Sequence, residues 1–310
     1  MNWKARSAFL AAVVAFAMTA VACGSSPSSG GSSSGGSSPK GSVTIAGFNF
    51  TEGSVLAELY GQALEHDGYS VQYKLNLGNR EVVSKAIEAG SIDAYIGYAA
   101  TDLEFYNKGA GEASGDVNAN VNKLNGHLQS LNMVALNPSA AIDQNAFAMT
   151  KANAQKFNAT KLSDLAAHGS DIVLGGPPEC ANRPFCKPGL EQTYGIHFKD
   201  FKSLDADGPL TRAALANGSI QLGLVFSSDG DLNSLGLVVL QDDKHLESAD
   251  NVVPILRSTV ATADVKKIMN AVSAGLTTND LIDMNNQAGP QHMDPDAVAA
   301  AYLQKHNYFS

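Results

Sequence analysis

Two aromatic residues occupy matched places in this chain, and an aromatic side chain where a strand runs out can line a binding site. Tyr98 stands eight residues after Gly90 in "KAIEAGSIDAYIGYAAT", and Phe226 stands eight after Gly218 in "AALANGSIQLGLVFSSD". Both segments read as helix, Gly-Ser-Ile turn, strand and aromatic. In open α/β sheets ligands bind beyond the carboxyl ends of the strands. Two such units facing each other would therefore bring Tyr98 and Phe226 to one cleft from opposite sides. The plainer role for each ring is to cap its own core.

A second constellation is "CANRPFC", in which Arg183 lies between Cys180 and Cys186. In an exported protein this spacing reads as a disulfide, and a metal site is disfavoured because no His or third Cys lies nearby. The seven histidines are scattered, with no H-E-x-x-H and no pair at metal spacing. "GSSSG" at Gly31 to Gly35 fits G-x-S-x-G, but low-complexity sequence generates that match without the strand, turn and helix it needs. No phosphate loop is present. Neither an enzyme nor a cofactor is expected.

The formal charge of -9 comes with no basic stripe, which excludes a nucleic-acid partner. The N-terminus is a targeting segment. Lys4 and Arg6 precede an uncharged run from Ala8 to Ala22, too short to span a bilayer but right for the core of a signal peptide, which would occupy residues 1–22. The run ends in "TAVAC", which resembles a bacterial lipobox with Cys23 as the lipidated residue. From Gly24 to Gly41, 15 of 18 residues are Gly or Ser, a composition that behaves as a flexible tether. Residues 23–41 thus read as anchor and linker, and the protein is expected on the outer face of the cell membrane. Trp3 is the only Trp and falls in the removed segment.

After Gly41 the pattern alternates. "SVTIAGF", "SVQYKLNLG" and "IDAYIGY" read as strands. "TEGSVLAELYGQALEHDGY", with Thr51 as N-cap, and "REVVSKAIEAG" read as the helices between them. A βαβαβ series implies a parallel sheet with helices on both faces. "NAFAMT", "DIVLGG" and "SIQLGLVF" supply strands of a second unit. The tail from "DVKKIMNAVSAGL" to "DPDAVAAAYLQKH" is helical, with Asp294 as a cap and Pro295 in the first turn.

The chain resembles the substrate-binding proteins of ABC importers for quaternary-ammonium osmoprotectants such as glycine betaine, choline and carnitine. The likeness runs from about Val43 to Phe309. It is carried by "NFTEGSVLAELY", "LGNREVVSKAIEAGSIDAYIGYAAT", "PPECANRPFCKPGLEQTYG", "SSDGDLNSLGLVVLQDDK" and "LTTNDLIDMNNQAG". It implies a periplasmic-binding-protein-like (type II) α/β fold of two domains, 42–145 plus 250–310 and 146–249, closing on a ligand between them. The implied partners are a small-molecule ligand and the permease and ATPase of the importer, and the implied state is a monomer.

By the same resemblance, Tyr98 matches a tyrosine of the box around the trimethylammonium head, and Thr101 and Arg183 match residues that hold a carboxylate tail. Asp143 matches an Asp at the box, and Phe226 stands where another box Tyr is common. Three positions depart. Phe48 stands where a Lys is usual, and Asn145 and Asp250 stand where box tyrosines are common. These departures keep a neutral polyhydroxylated or aromatic ligand as the alternative. Simpler roles are core packing for Phe48 and Phe226, a surface salt bridge for Arg183 and a solvated turn for Asp250.

Overall fold

The computed structural model describes residues 39–308. The expected signal peptide, Cys23 and most of the Gly/Ser run lie outside them. The first part of the chain runs β1 (Ser42–Ala46), α1 (Thr51–His66), β2 (Ser70–Lys74), α2 (Arg80–Glu88), β3 (Ala94–Tyr98), α3 (Ala99–Tyr106), α4 (Val117–Leu128) and β4 (Met133–Ala135). The middle runs β5 (Asn145–Thr150), α5 (Lys151–Phe157), β6 (Val173–Gly176), α6 (Lys187–Tyr194), β7 (Asp200–Ser203), α7 (Pro209–Ala216), β8 (Leu222–Phe226) and β9 (Leu237–Val239). The chain ends with β10 (Val252–Arg257), α8 (Ala263–Gly275), α9 (Thr278–Ala288) and α10 (Pro295–Lys305).

These elements build two five-stranded sheets, ordered β2-β1-β3-β10-β4 and β7-β6-β8-β5-β9. In the first lobe β1 pairs in parallel with β2 and β3, as the βαβαβ pattern requires. The sheets are not wholly parallel, however. β10 runs antiparallel between β3 and β4, and β5 runs antiparallel between β8 and β9. The reason is connectivity. Each of these strands receives the chain as it crosses from the other lobe, entering at the edge where its neighbours end. The crossing segments pair with each other: Ile142 bridges Asn251, and the Asp143 amide donates to the Asp250 carbonyl at 3.2 Å.

The first lobe's core is centred on α1, which packs against α8, α9 and α10 as well as against its own sheet. Enclosure on so many sides explains why twelve of its residues are buried, polar Glu52, Ser54 and Glu58 included. Phe50, not Thr51, occupies the N-cap position of α1, and no side chain caps it. Asp294 is at the N-cap of α10 as expected, yet its side chain makes no capping bond. By contrast Asn79 accepts from the Val82 amide at the start of α2, and Thr277 with Asp280 forms a capping box on α9. Among the described residues no helix is long and apolar enough to cross a membrane.

Candidate functional site

The carboxyl ends of β1, β3, β6 and β8 face a cleft of about 600 Å³ between the lobes, which the two crossing segments close from behind. Tyr98 ends β3 and Phe226 ends β8, so the matched sequence positions do meet at one cavity. Between them lies Phe50, its ring centroid 6.4 Å from that of Tyr98 and 5.2 Å from that of Phe226. The sequence reading missed Phe50. Its signal is the "FNF" that follows β1, a second aromatic at the carboxyl end of a strand.

Phe48, expected at the site, is absent from the cleft wall. It is 2% exposed and lies in the core of the first lobe, stacked on Phe50 at 5.6 Å and edge-on to Tyr95 at 5.7 Å. A hydrocarbon ring gains more from this enclosure than from a wet cleft, whereas a lysine could not have been buried there unpaired.

The Arg80 guanidinium lies 5.2 Å from the Phe48 ring centroid, and its Nε donates to Asp102 Oδ1 at 2.8 Å. Burial opposes the charge on Arg80, but Asp102 and, further off, Asp250 outweigh it and push its pKa up. Asp102 also accepts from the Tyr95 hydroxyl at 3.0 Å and the Tyr98 amide at 2.8 Å. Gly97 makes room for this cradle, since a Cβ there would collide with the Asp102 carboxylate.

Asp250 receives the amides of Ala100 and Thr101 at 2.8 and 2.9 Å, and the Thr101 hydroxyl bonds its other oxygen. It therefore caps the start of α3 rather than standing as a solvated turn residue, and it is 4% exposed. Burial pushes its pKa up to about 6, with the Thr101 bonds and Arg80 pulling the other way. Asp143 accepts from the Ser228 amide at 3.1 Å. Burial, reinforced by the nearby Glu52 charge, holds it well above the usual carboxylate range. Asn145 starts β5 and donates to the Phe185 carbonyl at 2.8 Å.

Arg183 sits in a loop pinned where Cys180 and Cys186 approach, their Cα atoms 5.2 Å apart. Its Nη2 donates to Glu81 Oε2 at 2.8 Å, from one lobe to the other, with Glu179 at 3.6 Å. Burial and the Arg80 charge lower its pKa, which the two glutamates oppose. The salt bridge is thus real, but it lies on the cleft wall.

The cleft therefore combines the ring run of Tyr98, Phe50 and Phe226, with Phe105 and Phe185 also on its lining, with buried carboxyl groups, and its arginines, buried Arg80 and half-buried Arg183, are already paired with acids. Such a lining suits a small cation held by aromatic faces and nearby negative charge. Among the described residues no group of three His, Cys, Asp or Glu is placed to hold a metal.

A glycine-betaine-binding protein of Pseudomonas aeruginosa is 27% identical over 278 residues, covering 86% of this chain and 88% of its own. The carnitine transport binding protein OpuCC of Listeria monocytogenes is 26% identical over 283 residues, covering 87% and 88%. A crystal structure described as a glycine betaine/carnitine/choline ABC transporter superposes with a TM-score of 0.67 at 23% identity, over 87% of this chain and 99% of that one. The shared fold is the two-lobed α/β arrangement of type II periplasmic binding proteins. The pattern of the family described as the substrate binding domain of an ABC-type glycine betaine transport system spans residues 41–305, and the chain belongs to that family.

Proposed function

We propose that this chain is the extracytoplasmic substrate-binding component of an ABC importer and captures a small quaternary-ammonium osmoprotectant in the cleft between its lobes. The observation that carries this reading is the run of rings Tyr98, Phe50 and Phe226 beside the buried carboxyls of Asp143 and Asp250. A trimethylammonium head offers no hydrogen-bond donor, so ring faces and diffuse negative potential are what can bind it. Asn145, Thr101 and Arg183 line the same cleft and supply polar contacts to the rest of the ligand. The relatives favour this class over a neutral polyhydroxylated or aromatic compound. The family is one of transport binding domains, not an enzyme class.

Closure on the ligand follows from a site whose walls belong to both lobes: a ligand touching both favours the state in which they approach. The lobes correspond to residues 42–145 plus 250–310 and 146–249, hinged at the crossing segments. Residues 1–22 are read as a signal peptide, Cys23 as the lipidated anchor and the Gly/Ser run as the tether that keeps the protein near its permease and ATPase. A Cys180–Cys186 disulfide holds the loop carrying Arg183.

Calorimetric titration of the chain from Lys40 onward with choline and glycine betaine tests the ligand class. Binding that is lost in Tyr98→Ala supports it, and silence towards every quaternary amine overturns it. For the anchor, Cys23→Ser releases the protein from membranes or blocks its processing, whereas an unmodified Cys23 in an unchanged membrane fraction refutes lipidation.

A further inference from the structure

Behind the cleft one carboxylate touches both lobes. Glu52, in the first turn of α1, is 3% exposed. Its Oε1 accepts from the Tyr98 hydroxyl at 2.6 Å. Its Oε2 accepts from the Ser228 hydroxyl at 2.7 Å and from Asn285 Nδ2, on α9, at 2.5 Å. Ser228 belongs to the second lobe and lies two residues beyond Phe226. Its loop is seated closely on α9, since a Cβ at Gly230 would meet Asn286 Nδ2 at 2.5 Å and Ile282 Cγ2 at 2.7 Å.

The two aromatic walls recognised from the sequence are thus tied to the same side chain, one through its hydroxyl and the other through the serine two residues beyond it. We propose that Glu52 is a positioning residue for the cleft, fixing the separation of Tyr98 and Phe226 by holding one wall with each carboxylate oxygen. The proposal rests on the reading of this cleft as the ligand site.

The energetics agree with such a role. A carboxylate taken out of water is costly unless its lone pairs are met, and here donors from β3, the loop after β8 and α9 all converge on it. Burial raises the pKa of Glu52, while Tyr98, Asn285 and Ser228 pull it back down. Removing any one donor leaves part of a buried charge unmet, so the loss at one wall is felt at the other. Rings grip a cation only when their faces sit at the right distance from it, so loosening either wall reduces affinity without deleting a ligand contact.

The test reads the walls directly. The chain from Lys40 onward is labelled with 3-fluorotyrosine, and the Tyr98 resonance is assigned from its absence in Tyr98→Phe. Ser228→Ala, which touches neither ring, is expected to shift or broaden the Tyr98 resonance and to weaken choline binding about tenfold, the size expected when a bond to a charged group is lost. Glu52→Ala is expected to do both more strongly. Glu52→Gln should restore binding to within about threefold, because an amide can meet the same groups if the Tyr98 hydroxyl accepts. An unmoved Tyr98 resonance in Ser228→Ala overturns the proposal, even if Glu52→Ala proves too unstable to purify. If the unaltered protein binds no choline, the ligand reading fails, while the fluorine signal still decides whether Glu52 couples the two walls.

Discussion

Arg183 reaches across the cleft and donates to Glu81, joining a loop of the second lobe to the first turn of α2 in the first. The pair is part-exposed, with 26% and 41% of the side chains accessible, so it adds at most about 1 kcal/mol to stability. If the proposed ligand site is right, its larger effect is on ligand choice, because it occupies the cation expected to hold a carboxylate tail. Glu81→Gln is expected to raise the ratio of glycine betaine to choline affinity by about fivefold, the upper end of what a part-exposed ion pair is worth. An unchanged ratio in paired titrations would mean that Arg183 does not face the tail.

Phe48 and Phe50 are two residues apart and should respond to alanine in opposite ways. Phe48→Ala opens a cavity in the first lobe and is expected to cost about 3–5 kcal/mol in urea unfolding while leaving the ring run intact. Phe50→Ala removes the middle ring of the run and should weaken choline binding about tenfold with a smaller loss of stability. Equal stability losses in the two variants would contradict the placement.

Asp250 supplies a pH dependence whose sign is fixed by its surroundings. Its folded pKa of about 6 exceeds the unfolded value of 3.8. Between these values the folded chain holds a proton that the unfolded chain has released, so this group's contribution to stability falls as pH rises through that window. Asp250→Asn can keep the caps on Ala100 and Thr101 and removes the titration. The unfolding free energy of the natural chain relative to the variant is expected to drop by roughly 3 kcal/mol from pH 3.5 to pH 6.5, at 1.36 kcal/mol per unit. Glu52 is shifted in the same direction and is common to both proteins, whereas Asp143 and Glu247 are raised partly by the Asp250 charge and are relieved with it in the variant. A flat difference across that range would place Asp250 in a wetter environment.

The Cys180–Cys186 bond is expected to leave no reactive thiol when oxidised protein is denatured and labelled. The closed loop is short, so reduction should lower global stability only slightly. The effect should appear instead at Arg183 and Glu81, as a weaker affinity for ligands with a carboxylate tail. Two reactive thiols in the oxidised protein would refute the bridge.

Local sequence determined most of the elements. Alternation and turn residues place β1, α1, β2, α2 and β3 in order, because each of these signals is complete within a few residues. The same holds for the recurrence that marks Tyr98 and Phe226, and the long matched segments suffice to reveal the family. What only the tertiary structure decided depends on residues far apart in the chain. β10 enters the first sheet antiparallel because the chain returns from the second lobe at the cleft edge. Phe48 turns inward and Phe50 outward because Arg80 and Tyr95 enclose the former. Arg183 finds Glu81 102 positions away, and Ser228 finds Glu52 176 positions away. No local periodicity records such pairings. They exist because two separately formed sheets present their carboxyl ends to each other, and the groups stranded there, carboxylates above all, must find partners from whichever lobe can supply them.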